Sequence, residues 1–429
     1  MYLKNSPLKI PIILFFLSTA FFLINIQFPR GASFDEFHYV PSANQILTWK
    51  TNQNWEHPPL GKMILAVSIW LFGDRPFGWR FLSAVFGGIT LAGMYTLALN
   101  LFRSKKAALF VAVVTLSNNL LFVQARIGML DSYMIGFLIW ALAFFADSWR
   151  IEGASQTATV TLWARTGILL GLTIACKWFG IIPWLGILGL ILLVRTLQSW
   201  RVFFDTPRQT DWYSQKLWQG ITFQDIAVCF IFLPLGVYAL TYIPLFLTPG
   251  GPRSLSELIQ AQITMYGGQL RVISNHPYMS YPLDWPLLRR PIWYSFDKEG
   301  KDSIRGVLMI GNPLIMWSGM LALIYCLRAL VHQRARSAFF IIYFYVLFYG
   351  CWFFIPRRIQ FYYYYYPAGM MLSLALAYVF FRNKDFATWP RKVYLGLCIS
   401  LFILFYPILA ALKLPSESFR AWMLFKSWI

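Results

Sequence analysis

The chain has 429 residues, of which 58% are hydrophobic, 19% aromatic and only 13% charged. A soluble domain of this length would carry far more charge, so the composition excludes a water-soluble globular protein and points to an integral membrane protein. The net charge of +20 does not indicate a nucleic-acid partner: the basic residues form short clusters at the ends of apolar runs (Lys4/Lys9, Arg103/Lys105/Lys106, Arg334/Arg336, Arg391/Lys392), as the positive-inside rule places them in cytoplasmic loops.

Apolar segments of spanning length lie at roughly 10–28, 76–102, 107–124, 132–148, 165–181, 183–198, 225–247, 307–330, 338–355, 366–382 and 393–412. Single runs of this kind satisfy their backbone inside a bilayer only as helices. The expected fold is an all-α polytopic bundle with about eleven crossings, a single integral domain over residues 1–429. The first run follows basic residues and lacks a small-x-small cleavage site, so it reads as a signal anchor. Pro183 either breaks one long helix or marks a hairpin between two, and the basic loop at 199–224 favours two. A cytoplasmic N-terminus puts the basic loops near 103–106, 149–164, 199–224, 331–337 and 383–392 inside. Two long segments, 29–75 and 248–306, and two short ones, 125–131 and 356–365, then lie outside. The five cysteines show no CxxC spacing and read as small buried hydrophobes.

The unusual polar chemistry collects in the outer segments. The first, SFDEFHY at Ser33–Tyr39, places Asp35 and Glu36 side by side; on a helix their side chains diverge by about 100°, so they take different roles. An isolated pair of this kind reads as interfacial polar residues, but the same loop continues into Trp55-Glu56-His57-Pro58-Pro59-Leu60. There the double proline holds His57 extended and opens the next helix. Arg126 and Asp131 fall at an outer helix-helix junction, where Arg126 either pairs with Asp131 or faces an anionic ligand. Lys177, beside Trp178, either snorkels to the interface or pairs with a phosphate. The stretch HPYMSYPLDWPLLRRPIWY at His276–Tyr294 is stiffened by four prolines and suits either an aromatic belt or a surface that receives a peptide or sugar. In PRRIQFYYYYYPA the five consecutive tyrosines cannot share a helix face. Some read as interfacial belt and one or two as turned inward beside Arg357 or Arg358; Tyr362 and Arg358 are the candidates there. The sequence has no phosphate-binding loop, HExxH, nucleophile elbow or metal-ligand cluster, so an enzyme built on it takes its hard chemistry from an activated substrate.

Taken in order, FDEFHY, HPPLGK, PFGWRFLSAVFG, QARIGMLDSY, GILLGLTIACKWFGI, HPYMSYPLDWPLLRRPIWY, LMIGNPLIMW and RRIQFYYYYYPA cover nearly the whole chain, and the sequence resembles the protein O-mannosyltransferases of the C-type glycosyltransferase (GT-C) fold. The resemblance implies transfer of mannose from a polyprenyl-phosphate-mannose donor to Ser/Thr hydroxyls of a protein acceptor. It implies an inverting, metal-independent reaction with no cofactor, at the extracytoplasmic side of a multi-pass plasma (inner) membrane protein. On it, Asp35 becomes the catalytic base, Glu36 a second catalytic-site residue beside it that supports the acceptor or the loop, Arg80 a functional basic residue, and His57 a residue that shapes the loop. Arg80, Arg126, Lys177 and Arg358 are the candidates for the donor phosphate, and His57, His276 and Tyr362 those for shaping the substrate site. The segment 248–306 is too short for the β-trefoil domain of eukaryotic members, so the chain reads as a compact member. The alternatives are a related transferase that moves another sugar from polyprenyl phosphate to lipid or cell-wall glycan, and a transporter. The second is disfavoured by the absence of internal repeats and of mid-membrane carboxylates.

Overall fold

The computed structural model describes residues 8–50, 54–150, 153–201, 212–271, 276–382 and 388–429. Lys4 and parts of the basic loops expected at 149–164, 199–224 and 383–392 lie outside them. In chain order the helices are α1 (Lys9–Leu23), α2 (Glu36–Leu47), α3 (Leu60–Phe72), α4 (Pro76–Phe102), α5 (Lys105–Leu116), α6 (Asn119–Gln124), α7 (Leu130–Arg150), α8 (Gln156–Cys176), α9 (Ile181–Arg201), α10 (Phe223–Ala227), α11 (Leu233–Leu240), α12 (Ile243–Phe246) and α13 (Leu255–Arg271). They are followed by α14 (Pro313–Gln333), α15 (Arg336–Gly350), α16 (Tyr366–Arg382) and α17 (Thr388–Leu409).

Among the described residues nine helical stretches are long and apolar enough to cross a membrane. The other two predicted crossings are modified. The first is the short α1, and the third breaks at Ser117–Asn118 into α5 and α6. Asn118 caps α6 by accepting from the Leu120 amide, and Asn312 donates to the Ser117 and Cys398 carbonyls, so a polar joint sits where apolar periodicity alone predicts a continuous helix. Two helices do occupy 156–201, but they part at Lys177, and Pro183 sits in the first turn of α9, where a missing N–H costs nothing. The bundle is organised around α4, α7 and α16, whose spans are the most buried. On the periphery, the α10–α11 stretch contacts α8 so closely that a Cβ on Gly167 would lie 1.9 Å from the Cys229 carbonyl oxygen.

The expected helix from 307 starts six residues later. Ser303–Met309 is strand β2, paired antiparallel with β1 (Ile292–Lys298) from Ile292↔Met309 to Lys298↔Ile304, and a third strand, β3 (Leu414–Pro415), adds to β2 at Ile304↔Leu414. The C-terminal segment is fastened on this sheet by a hydrogen bond of 2.8 Å from Trp293 Nε1 to the Trp428 carbonyl. The segments predicted as outer loops meet at one end of the bundle. Phe34 stacks on Tyr294 (5.1 Å) and packs edge-on against His276, Phe361 and Tyr363. Its φ of +48° is a left-handed conformation unusual for a large side chain, held by this aromatic nest immediately before Asp35.

Candidate active site

Asp35 sits at the N-terminal boundary of α2 and Glu36 is the first residue of that helix, so the two carboxylates diverge and enter different surroundings. Glu36 is wholly buried. Its oxygens accept from Arg80 Nε (2.8 Å) and Nη2 (2.7 Å) and from the amides of Ser33 (2.8 Å) and Gly128 (2.7 Å). A Cβ at position 128 would press on Glu36 Oε1 at 3.2 Å and on the Trp79 carbonyl at 3.1 Å, which accounts for the glycine. Arg80, also without exposure, donates its remaining N–H groups to the carbonyls of Ile26 (3.1 Å), Pro29 (2.8 Å) and Gly31 (3.0 Å). Every guanidinium donor is therefore taken by protein, which leaves none for a phosphate. The expectation for Arg80 is corrected: its contacts gather the chain between α1 and α2.

Arg126 also differs from expectation. It does not pair with Asp131; it donates to the carbonyls of Phe22, Ile24 and Asn25 at the end of α1, capping that helix, and lies over the Phe122 ring. Asp131 instead takes Lys177, whose Nζ reaches both carboxylate oxygens at 3.0 and 2.8 Å in a nearly fully buried ion pair. Lys177 occupies the extended residue between α8 and the turn that leads into α9, so its side chain points inward and does not snorkel. It lies 5.0 Å from the ring of Tyr363 and 5.7 Å from that of Tyr364.

Asp35 is left distinct. One oxygen accepts from Tyr39 Oη at 3.0 Å, and among the described residues the other has no hydrogen-bond partner. Burial raises its pKa above the ordinary carboxylate value; the positive charge of Lys177 opposes the rise and the negative charge of Asp131 adds to it. Tyr39, four residues along α2, also meets the His57 ring edge-on at 5.9 Å. The double proline does open α3, and Lys62 in the first turn of that helix reaches back to the carbonyls of Asn54 and His57, fixing the loop. Burial lowers the Lys62 pKa to about 7. The His57 pKa is lowered well below its ordinary value, first by burial and then by the charges of Lys177, Arg357 and Lys62. The imidazole is thus neutral near pH 7.

Of the two arginines, Arg357 and not the phosphate candidate Arg358 takes the inward position. Arg358 is exposed, whereas Arg357 lies over the Tyr364 ring at 5.2 Å and donates to Gln269 Oε1 at 2.8 Å. Gln269 in turn donates to the Glu56 carbonyl. All five tyrosines of 362–366 are buried, so none forms an interfacial belt. Tyr362 accepts from the Gly311 amide (3.0 Å) in the packing beneath the site, and Tyr363 and Tyr364 are the pair that face the cations. His276 packs on Phe34 and Phe361 within electrostatic reach of Asp35.

The structure thus brings together Asp35, His57, Lys177 and His276 from the sequence expectations. It sets Glu36, Arg80, Arg126 and Tyr362 in supporting positions and leaves Arg358 outside. Sequence reasoning passed over Tyr39, Glu56, Gln269 and the choice of Arg357; only the i, i+4 spacing of Asp35 and Tyr39 could have signalled one of them. In the segments linked to Asp35 through Tyr39, His57 and Arg357, four buried polar atoms have no partner among the described residues: His57 Nδ1, Glu56 Oε2, Arg357 Nε and Tyr364 Oη. Each costs about 1–3 kcal/mol while it stays unpaired. Two acceptor-capable groups, a cation and a hydroxyl beside a carboxylate suit a ligand that carries both hydroxyls and negative charge.

Two family models match in succession. Residues 73–248 match dolichyl-phosphate-mannose-protein mannosyltransferase, and residues 254–428 match the C-terminal four-transmembrane region of protein-O-mannosyltransferase. A polyprenol-phosphate-mannose--protein mannosyltransferase of Mycolicibacterium smegmatis is 25% identical over 474 aligned positions, covering 94% of this chain and 90% of that protein. The solved structure of the Saccharomyces cerevisiae protein O-mannosyltransferase Pmt1-Pmt2 complex bound to the sugar donor superposes with a TM-score of 0.78 at 14% identity, covering all of this chain and 94% of the other. ArnT from Cupriavidus metallidurans bound to undecaprenyl phosphate gives 0.60 at 18% identity, with 92% and 65% covered. At those identities the two structures speak for the GT-C fold alone. With both family models tiling the chain in register, the chain belongs to the protein O-mannosyltransferase family of membrane glycosyltransferases.

Proposed function

We propose that this chain transfers mannose from a polyprenyl-phosphate-mannose lipid to the hydroxyl of a Ser or Thr in a protein acceptor, at the extracytoplasmic side of the plasma membrane, with Asp35 as the general base. The observation that carries the reading is the half-open Asp35 carboxylate, joined through Tyr39 to His57 and within electrostatic reach of Arg357, in a region where Glu56, His57, Arg357 and Tyr364 each keep a buried polar atom without a partner among the described residues. The mycobacterial relative acts, by its name, on the same donor and acceptor classes. The basic clusters at the opposite ends of the helices support the sidedness.

The donor is already activated, since phosphate is a good leaving group and the lipid delivers the sugar in the plane of the membrane. The acceptor oxygen attacks the anomeric carbon from the face opposite the phosphate while its proton passes to the free oxygen of Asp35. The carbon–oxygen bond to phosphate breaks with its electron pair going to the phosphate oxygen. Configuration inverts, and polyprenyl phosphate and the O-mannosyl protein are released. The raised pKa makes Asp35 a stronger base than an exposed aspartate, and general-base catalysis contributes about 10²–10⁴ in rate. Arg357 faces the departing phosphate, with the Lys177–Asp131 pair behind it, and stabilises the developing charge. The neutral His57, together with the Glu56 side chain, takes sugar hydroxyls. The sugar phosphate ester supplies the driving force, and in this reading protein side chains carry the transfer without a metal or cofactor.

Purified protein supplied with polyprenyl-phosphate-[¹⁴C]mannose and a Ser/Thr-rich peptide should place label on the peptide in an alkali-labile linkage. Label confined to lipid or free glycan overturns the protein-acceptor reading and favours the transferase that serves lipid or cell-wall acceptors.

A further inference from the structure

The outer segment between α12 and β1 contains α13, the helix that carries Gln262 and Gln269. On a wheel of about 100° per residue, α13 divides into three sectors. Leu258, Ala261, Gln262, Met265, Gly268 and Gln269 form the face packed on the protein. Leu255, Ile259, Ile263, Tyr266 and Leu270 fall within about 80° of each other on the wheel, and all are exposed, from 42% for Leu270 to 71% for Leu255. Ser256, Glu257, Gln260 and Thr264 make up a polar, exposed remainder. A helix facing water alone would not carry five large apolar side chains in one unpacked stripe.

Its anchorage fixes its level. Towards its first half, Gln262 accepts from Tyr238 Oη (2.5 Å) and Tyr242 Oη (3.3 Å) at the end of α11, and Tyr238 accepts from Trp178, the neighbour of Lys177. Seven residues on, Gln269 holds Arg357, which follows the end of α15. The helix is therefore tied to the ends of two spans, and large apolar side chains are exposed at those ends too: Leu240, Ile243 and Leu247 after α11, and Phe353 and Phe354 after α15.

We propose that α13 is a membrane-surface helix whose Leu255–Leu270 stripe is seated in the headgroup boundary of the outer leaflet, and that this seat holds Gln262 and Gln269 where they position Trp178 and Arg357. The partner is the lipid surface itself. A helix with separate apolar and polar exposed sectors satisfies both phases only in the plane of that boundary.

The test uses the full chain reconstituted in phosphatidylcholine–phosphatidylglycerol vesicles, with a nitrobenzoxadiazole fluorophore attached at Ile263→Cys or at Thr264→Cys and unsubstituted protein as the labelling background. The probe at 263 should be quenched by lipid spin-labelled near the headgroup more strongly than by lipid labelled deep in the chain, and it should resist aqueous iodide. The probe at 264 should respond to iodide. Equal iodide quenching at both positions means a water-facing helix. Deep-label quenching means a buried span. Protection from both quenchers, with crosslinks between copies or to another protein, means a protein-covered face. Each of these three results overturns the seat.

A second arm rests on the donor reading of the site. The double variant Ile259→Asn/Ile263→Asn should raise the donor KM several-fold with kcat retained, and Leu at both positions should restore it. An unchanged KM alongside the expected quenching removes the positioning of Arg357 for the donor while leaving the lipid seat in place.

Discussion

The divergence of Asp35 and Glu36 makes a sharp prediction about Glu36. Its carboxylate receives two charged hydrogen bonds from Arg80 and two from backbone amides, with neither side chain of the pair exposed. Glu36→Ala leaves a fully desolvated guanidinium without its counter-charge, and breaking a buried pair in this way costs about 3–5 kcal/mol. Domains are stable by only about 5–15 kcal/mol, so the variant should unfold at a markedly lower temperature. Glu36→Gln keeps the volume but turns one acceptor into a donor facing N–H groups, an unsatisfied clash of about 1–3 kcal/mol. Removing both partners in Glu36→Leu/Arg80→Met should cost much less than the sum of the single changes, with a coupling of about 1 kcal/mol or more in the double-mutant cycle. The readout is the temperature at which purified protein in detergent loses its monodisperse peak, measured beside mannosyl transfer at a temperature where each variant is folded. If Glu36→Gln unfolds like the parent and yet turns over no substrate, Glu36 belongs to the chemistry and the clamp assignment is wrong.

Asp35→Asn should show the reverse pattern: unfolding unchanged and kcat lowered by about 10²–10⁴, as for loss of a general base, so residual turnover near the parent rate would remove Asp35 from that role. In the parent enzyme kcat/KM should fall as pH drops through the Asp35 pKa, because the base must be deprotonated, and the midpoint of that limb should lie above the ordinary carboxylate value. Tyr39→Phe deletes the hydrogen bond that favours the Asp35 anion, worth about 1.5–3 kcal/mol for a charged acceptor. It should move the acid limb to still higher pH by about one to two units; a limb that stays in place would mean that another group titrates there. Arg357→Met should raise the donor KM while Arg358→Met leaves it unchanged, and equal effects of the two would show that the face assignment is mistaken.

Polar groups stranded among apolar ones were the legible part of the site: Asp35, His57 and Lys177 stand out because burying them is expensive and demands a partner. The partner itself is what linear sequence withholds. Arg80 and Arg126 have the composition of phosphate ligands, yet both are consumed by carbonyls near the end of α1, a chain curl that no local periodicity encodes. Arg357 and Arg358 are neighbours in an irregular segment, so which one faces inward depends on backbone angles and not on pattern. The fold was legible for the long apolar helices and failed where apolarity has a second explanation. Val307–Met309 is apolar because a buried strand is, and the break at 117–118 survives because Asn312 satisfies the carbonyl that it frees.

The short turn between α6 and α7 carries a consequence for how the chain tolerates change in length. Within six residues, Arg126 ties off α1, the Gly128 amide meets Glu36, and Asp131 meets Lys177. One added or deleted residue there shifts the phase of all three anchors, so the clamp, the ion pair and the end of α1 are lost together. The exposed β1–β2 turn is tied at its ends, Glu299 to Arg305 and the Asp302 carbonyl to the Ser416 amide, so an epitope inserted between Gly300 and Lys301 should be accepted where the turn at 125–131 rejects one. That turn depends on its spacing as well as on the identities of Arg126, Gly128 and Asp131.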